Sequence, residues 1–144
     1  MSTWQLRIVP RPGERLMSMN DHMDPLEKAR RNAYWRGLAA SAAKQADLPK
    51  GILRARVDAL LTFADSVPRD SANYHQTLKP VIDGLGSRAT YHGRRKAHPA
   101  YGLFIDDDSA HLDGPHITIG PPLPTLRNRN VHGFITLDIT ELED

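Results

Sequence analysis

Two groups of carboxylates and one lysine stand out for the chemistry they could do together. Asp70 lies just ahead of a segment that reads as a helix start, and Asp106, Asp107 and Asp108 form an unbroken run after a short apolar stretch. Carboxylate oxygens gathered at strand ends make a site for a hard cation, and magnesium takes few carboxylates and keeps water for chemistry. Beside a phosphodiester, such an ion polarises the phosphoryl oxygen and can supply a hydroxide nucleophile. Lys79, on the helix after Asp70, is the kind of cation that stabilises the added negative charge of the transition state. Asp83 stands four residues beyond Lys79, the spacing at which carboxylate and ammonium meet on one helix face. Each group also has an ordinary reading. Asp70 is then a loop residue or cap, and the aspartate run a solvated turn. The Lys79–Asp83 pair is then a surface ion pair worth roughly 0.3–0.5 kcal/mol.

Basic residues cluster where a polyanion would need them. The stretch LEKARRNAYWRG carries Lys28, Arg30, Arg31 and Arg36 against one acid, Glu27. The stretch GSRATYHGRRKAHPAYG holds Arg88, Arg94, Arg95 and Lys96 with His92 and His98, and no acid. Acids gather instead in FIDDDSAHLDG and in the tail LDITELED. A basic surface beside a compact acidic cluster suits a polyanion held next to a cation site. A solvated surface with uneven charge is the plain alternative. The net charge of +2 alone names no partner.

Other chemistries find little support. There is no cysteine, so disulfides and thiolate metal sites are excluded. No glycine-rich phosphate loop and no G-x-S-x-G turn is present. The aspartate run does not fit a calcium-binding EF-hand loop, because Ala110 stands where an oxygen ligand is needed. His111 and His116 flank LDGP five residues apart, which is not a helical metal pair.

The elements that must position these residues follow from pattern. A chain of 144 residues, 40% hydrophobic and 25% charged, suits one domain over 1–144 with one core. It has no run of eighteen apolar residues, so no membrane span is expected. Its start lacks the apolar core of a signal peptide, which makes a cytoplasmic location the expectation. WQLRIVP reads as a first strand. Asp24, Pro25 and Glu27 then open a helix over 25–46, with an apolar stripe of Trp35, Leu38, Ala39, Ala42 and Ala46. ILRARVDALLTFA is a second strand, with Leu53, Ala55, Val57, Ala59 and Leu61 alternating before the pattern turns solidly apolar. After the loop DSVPRDSA, the second helix turns Tyr74, Leu78, Val81, Ile82 and Leu85 inward and Asn73, Gln76, Lys79 and Asp83 outward. Pro80 removes a backbone donor and is expected to kink it, and Gly86 stops it. Residues 86–102 read as a basic loop insertion. PHITIG and VHGFITLDIT are two closing strands, separated by the proline-rich PPLPTLRNRN. The order predicts a small α/β or α+β domain, with a mixed sheet and two main helices.

RDSANYHQTLKPVIDGLG, followed after a gap by LFIDDDSAHL, resembles the RusA family of Holliday-junction resolvases, in the form found in phages and prophages. The family pattern is an Arg-Asp pair, an Asn three residues after that Asp, a Lys on the following helix, an Asp-Gly/Ala-Leu step and a short Asp-Asp-Asp/Asn-Ser turn. Here it falls on Arg69, Asp70, Asn73, Lys79, Asp83 and the turn 106–109. The loop LMSMND before a basic helix containing YWR, and the closing strands, extend the resemblance over nearly the whole chain.

The resemblance implies a magnesium-dependent endodeoxyribonuclease, with manganese as a substitute ion. It implies a homodimer that cleaves four-way junctions or other branched DNA by paired phosphodiester hydrolysis. Asp70 and the Asp107/Asp108 pair would hold the metal, Lys79 would support catalysis, and Asn73 and Asp83 would assist. The DNA contacts expected on this reading are Arg30, Arg31, Arg69, Arg94, Arg95 and Lys96. Two positions depart from the best-known members: Ala72 stands where they carry a second aspartate, and Lys79 lies three residues later than their lysine. The departures leave two alternatives open: an inactive DNA-binding protein of the same fold, and a small phage interaction protein with no nucleic-acid role.

Overall fold

Four strands form one mixed sheet in the order β1-β4-β2-β3: β1 (Thr3–Ile8), β2 (Ala55–Phe63), β3 (Leu112–Ile119) and β4 (Gly133–Glu141). The computed structural model describes residues 2–86, 100–106 and 108–143. β4 runs antiparallel to both β1 and β2, whereas β2 and β3 are parallel. β1, β2 and β3 therefore point the same way, and a helix must carry the chain back between each successive pair. α1 (Pro25–Gln45) does so between β1 and β2, and α2 (His75–Leu85) between β2 and β3. The result is a small α+β domain with a four-stranded mixed sheet and two main helices, as the pattern predicts.

Register explains why the core lies on one face. Leu6 of β1 and Ala59 of β2 both stand opposite Leu137 of β4, and Ile8 and Leu61 both stand opposite Ile135. These rows are buried against Trp35, Ala39 and Ala43 of α1 and Leu78, Val81, Ile82 and Leu85 of α2. The opposite face carries polar side chains such as Arg56, Asp58 and Asp138. At one end of the domain, a second small cluster joins Phe134 to Ala64, Leu126 and Val131 beside the 3-10 turn Pro124–Arg129, a segment read from sequence as loop.

Several local expectations shift. β2 alternates strictly through Phe63, because a central strand with helices on only one face keeps period two to its end. Leu53 precedes the strand and is 44% exposed. On α1 the inward row is Arg31, Trp35, Ala39 and Ala43, at steps of four. Leu38 and Ala42 pack at its margin, and Ala46, already the C-cap, is exposed. α2 is one helix through Pro80, which is itself buried, and a 3-10 turn, Ser71–Tyr74, leads into it. Gly84 is where the helices press together. A Cβ there would lie 2.2 Å from the Arg36 carbonyl oxygen, so only glycine permits this approach. Among the described residues no helix is long and apolar enough to cross a membrane.

Candidate functional site

Asp70 sits at the head of the α2 segment as a cap. Its Oδ1 accepts from the Ala72 N–H at 3.1 Å, and its carbonyl accepts from the Asn73 N–H at 3.1 Å. The carboxylate remains exposed. The N-terminal loop is tied down beside it. The Asn73 carbonyl accepts from the Met19 N–H at 2.9 Å. The buried Thr77 hydroxyl accepts from the Met17 N–H at 2.6 Å and donates to the Met17 carbonyl at 2.8 Å. Sequence reading missed Thr77. Its signal was a lone hydroxyl on the side of the helix that carries the core residues.

Asp108 is also a cap, and a more heavily used one. Its Oδ1 accepts from the Ala110 N–H at 3.0 Å and the His111 N–H at 3.2 Å, and meets His111 Nδ1 at 2.6 Å. The hydrogen bond from the His111 ring is the main cause holding this carboxyl below the usual range. Asp107 lies outside the described residues, and so do Arg94, Arg95 and Lys96.

Among the described residues, Asp70 and Asp108 stand at opposite ends of β2. Asp70 follows the C-terminal end of β2, whereas Asp108 leads into β3, whose Leu112 stands opposite Ala55 at the start of β2. Eight strand steps of about 3.3 Å put roughly 26 Å between the two ends. The cause is topological: a parallel β3 must begin where β2 begins. Lys79 is also set apart from Asp70, by a 3-10 turn and more than one helical turn, about 15 Å along the axis. It pairs with Asp83 at 2.9 Å, as the spacing of four predicts. Among the described residues no three His, Asp or Glu side chains converge.

Two of the arginines expected to face DNA, Arg31 and Arg69, are engaged inside the domain. Arg31 is 9% exposed. It lies 3.5 Å from Glu14 and 4.0 Å from Asp21, and donates to the Arg15 carbonyl at 2.7 Å. Arg30 reaches the same buried Glu14 at 3.5 Å. Arg69 lies over the Phe63 ring at 3.9 Å, pairs with Asp65 at 2.7 Å and donates to the Val67 carbonyl at 3.1 Å. The Arg69 hydrogen bond, with the Val67 N–H behind it, holds the Asp65 carboxyl below its usual range.

His132 completes this cluster. Its Nε2 faces Arg15 at 3.0 Å and Arg69 at 3.4 Å, both of which can only donate, so Nε2 accepts and the proton sits on Nδ1. Nδ1 is buried without a partner among the described residues. Burial first, then the charges of Arg15 and Arg69, push the imidazole below its ordinary value. Compared with protein-family models the chain matches none, and no curated protein matches it in sequence.

Proposed function

We propose that the chain is a RusA-like endodeoxyribonuclease that cuts branched DNA, such as a four-way junction, as a homodimer. The observation that carries this reading is the segment 69–86. It bears the residues of the resemblance, and its apolar side is fully used by the core. Its outer side presents Asn73, Gln76, Lys79 and Asp83 behind an exposed Asp70. The order of strands and helices is that of the small α+β domain expected from the sequence pattern. The separation of Asp70 from Asp108 also finds a reason in a dimer. A two-fold pair that sets the Asp70 end of one chain against the Asp108 end of the other makes two identical sites, which suits a junction of near two-fold symmetry.

The test is cleavage of a synthetic four-way junction with and without magnesium. The expected result is magnesium-dependent conversion to nicked duplexes. Asp70→Asn should abolish cleavage while junction binding and thermal unfolding stay near the parent's, since the swap keeps size and removes charge. Mixing Asp70→Asn chains with Asp107→Asn chains should restore partial cleavage if each site spans two chains. Binding without cleavage by the parent would favour the inactive DNA-binding protein, for which Ala72 speaks.

A further inference from the structure

We infer that the groove between α1 and α2 binds the phosphodiester backbone of DNA, with Lys28, Arg36 and Lys79 as its phosphate contacts. The inference rests on the branched-DNA reading and assigns the binding surface that this reading needs. Beside the Gly84 contact, the two helices enclose a groove of about 280 Å³. Lys28, Asn32 and Arg36 of α1 line one wall, and Gln76, Lys79 and Asp83 of α2 the other. Steps of four keep the α1 residues on one face, with about 12 Å of helix from Lys28 to Arg36.

Charge on α1 is divided by face. Arg30 and Arg31 turn to Glu14. Lys28 and Arg36 make no ion pair among the described residues. Asp83, the one carboxylate on the groove walls, is taken up by Lys79 at 2.9 Å, which leaves two cations uncompensated. Asn32 and Gln76 add neutral donors of the kind that position a sugar-phosphate backbone without reading bases. The cations are spaced along the groove and do not converge on a point. A single phosphate would therefore meet one of them at a time, while a strand with a phosphate every ~3.4 Å of rise meets them in succession.

The test uses the full chain with Lys28 and Arg36 both changed to alanine. Both side chains lie outside the core, and alanine is the best helix former, so α1 is kept. Binding to a synthetic four-way junction and to linear duplex is measured across salt concentrations without magnesium. The double variant should bind both DNAs more weakly, with a salt slope flatter by about 1.8, or about 0.9 for each lost duplex contact. Lys44→Ala, on α1 but away from the groove, should leave the slope unchanged. An unchanged slope in the double variant would overturn the inference. Saturable binding of inorganic phosphate to the parent, lost in the double variant, would overturn it in favour of a small phosphorylated ligand. A parent that binds junctions without cutting them would remove the nuclease reading alone, and the salt slope would still decide the groove. A parent that binds no DNA would remove both.

Discussion

Arg31 and Arg36 share one helix, five residues apart, yet they sit in opposite environments. Arg31 is buried, held by Glu14, Asp21 and the Arg15 carbonyl, and fastens the N-terminal loop to α1. Arg36 lines an open groove and has no ion-pair partner among the described residues. The same contrast divides Arg69, stacked on Phe63 and clamped to Asp65, from Lys28. A basic run on a helix is thus two populations. One satisfies buried carboxylates and contributes to the fold, and the other keeps its charge for a partner. Only the second can release counterions from DNA.

The strongest way to break this contrast is at Glu14, whose side chain is 6% exposed and meets Arg11, Arg30 and Arg31. Glu14→Ala leaves the buried Arg31 guanidinium with Asp21 at 4.0 Å as its one carboxylate among the described residues, beside the Arg15 carbonyl at 2.7 Å. Removing one partner of a buried pair costs about 3–5 kcal/mol, and the remaining bonds of Arg31 favour the lower end, about 3 kcal/mol. Urea unfolding should show this loss, whereas Arg36→Ala should stay within about 0.5 kcal/mol of the parent. Equal effects at the two positions would erase the distinction.

What could be read from sequence follows the same line. The helix start at Asp24 was legible because capping is local: Asp24 Oδ1 accepts from the Glu27 N–H at 2.8 Å. The inward face of α2 was legible because periodicity reports burial, and Tyr74, Leu78, Val81, Ile82 and Leu85 are all buried. The Lys79–Asp83 pair followed from spacing. Two things were not legible. Glu14 lies 17 residues from Arg31 and His132 lies 63 from Arg69, so no window shows these contacts, and Asp65, four residues before Arg69, sits in a loop where helical spacing gives no signal. Nor does a sequence say at which end of a strand a carboxylate will stand. Asp70 and Asp108 read as companions until parallel pairing of β2 and β3 sets them at opposite ends.

A gentler probe is pH at His132, which faces Arg15, Arg69, Asp65 and Asp21. Its folded value lies below the ordinary imidazole value of 6.5, so between the two the unfolded chain binds the extra proton. Stability from this group is therefore present above 6.5 and is lost as pH falls through the depressed folded value. One proton tilts stability by at most about 1.4 kcal/mol per pH unit. Urea unfolding of the parent should weaken from pH 7.5 to 5.5, and His132→Gln should flatten that slope. An equally steep slope in the variant would assign the dependence to other histidines. The paired cluster would then be indifferent to the proton.

The smallest expected effect, and the sharpest check on the groove side of the comparison, is the Lys79–Asp83 pair. Its bond is short, 2.9 Å, but the lysine side chain is 73% exposed. Water screens such a pair, and holding a long side chain in place costs rotamer entropy, so it stabilises by roughly 0.3–0.5 kcal/mol. A double-mutant cycle with Lys79→Ala and Asp83→Ala should return a coupling of about that size. The coupling should fade in 1 M salt, where the Debye length falls to about 3 Å. The Arg31–Glu14 coupling, between side chains that are 11% and 6% exposed, should persist there. If the Lys79–Asp83 coupling instead exceeded about 1 kcal/mol and survived high salt, the groove wall would be as desolvated as the Glu14 cluster. Lys79 would then be a structural cation like Arg31, and the phosphate contacts of the groove would shrink to Lys28 and Arg36.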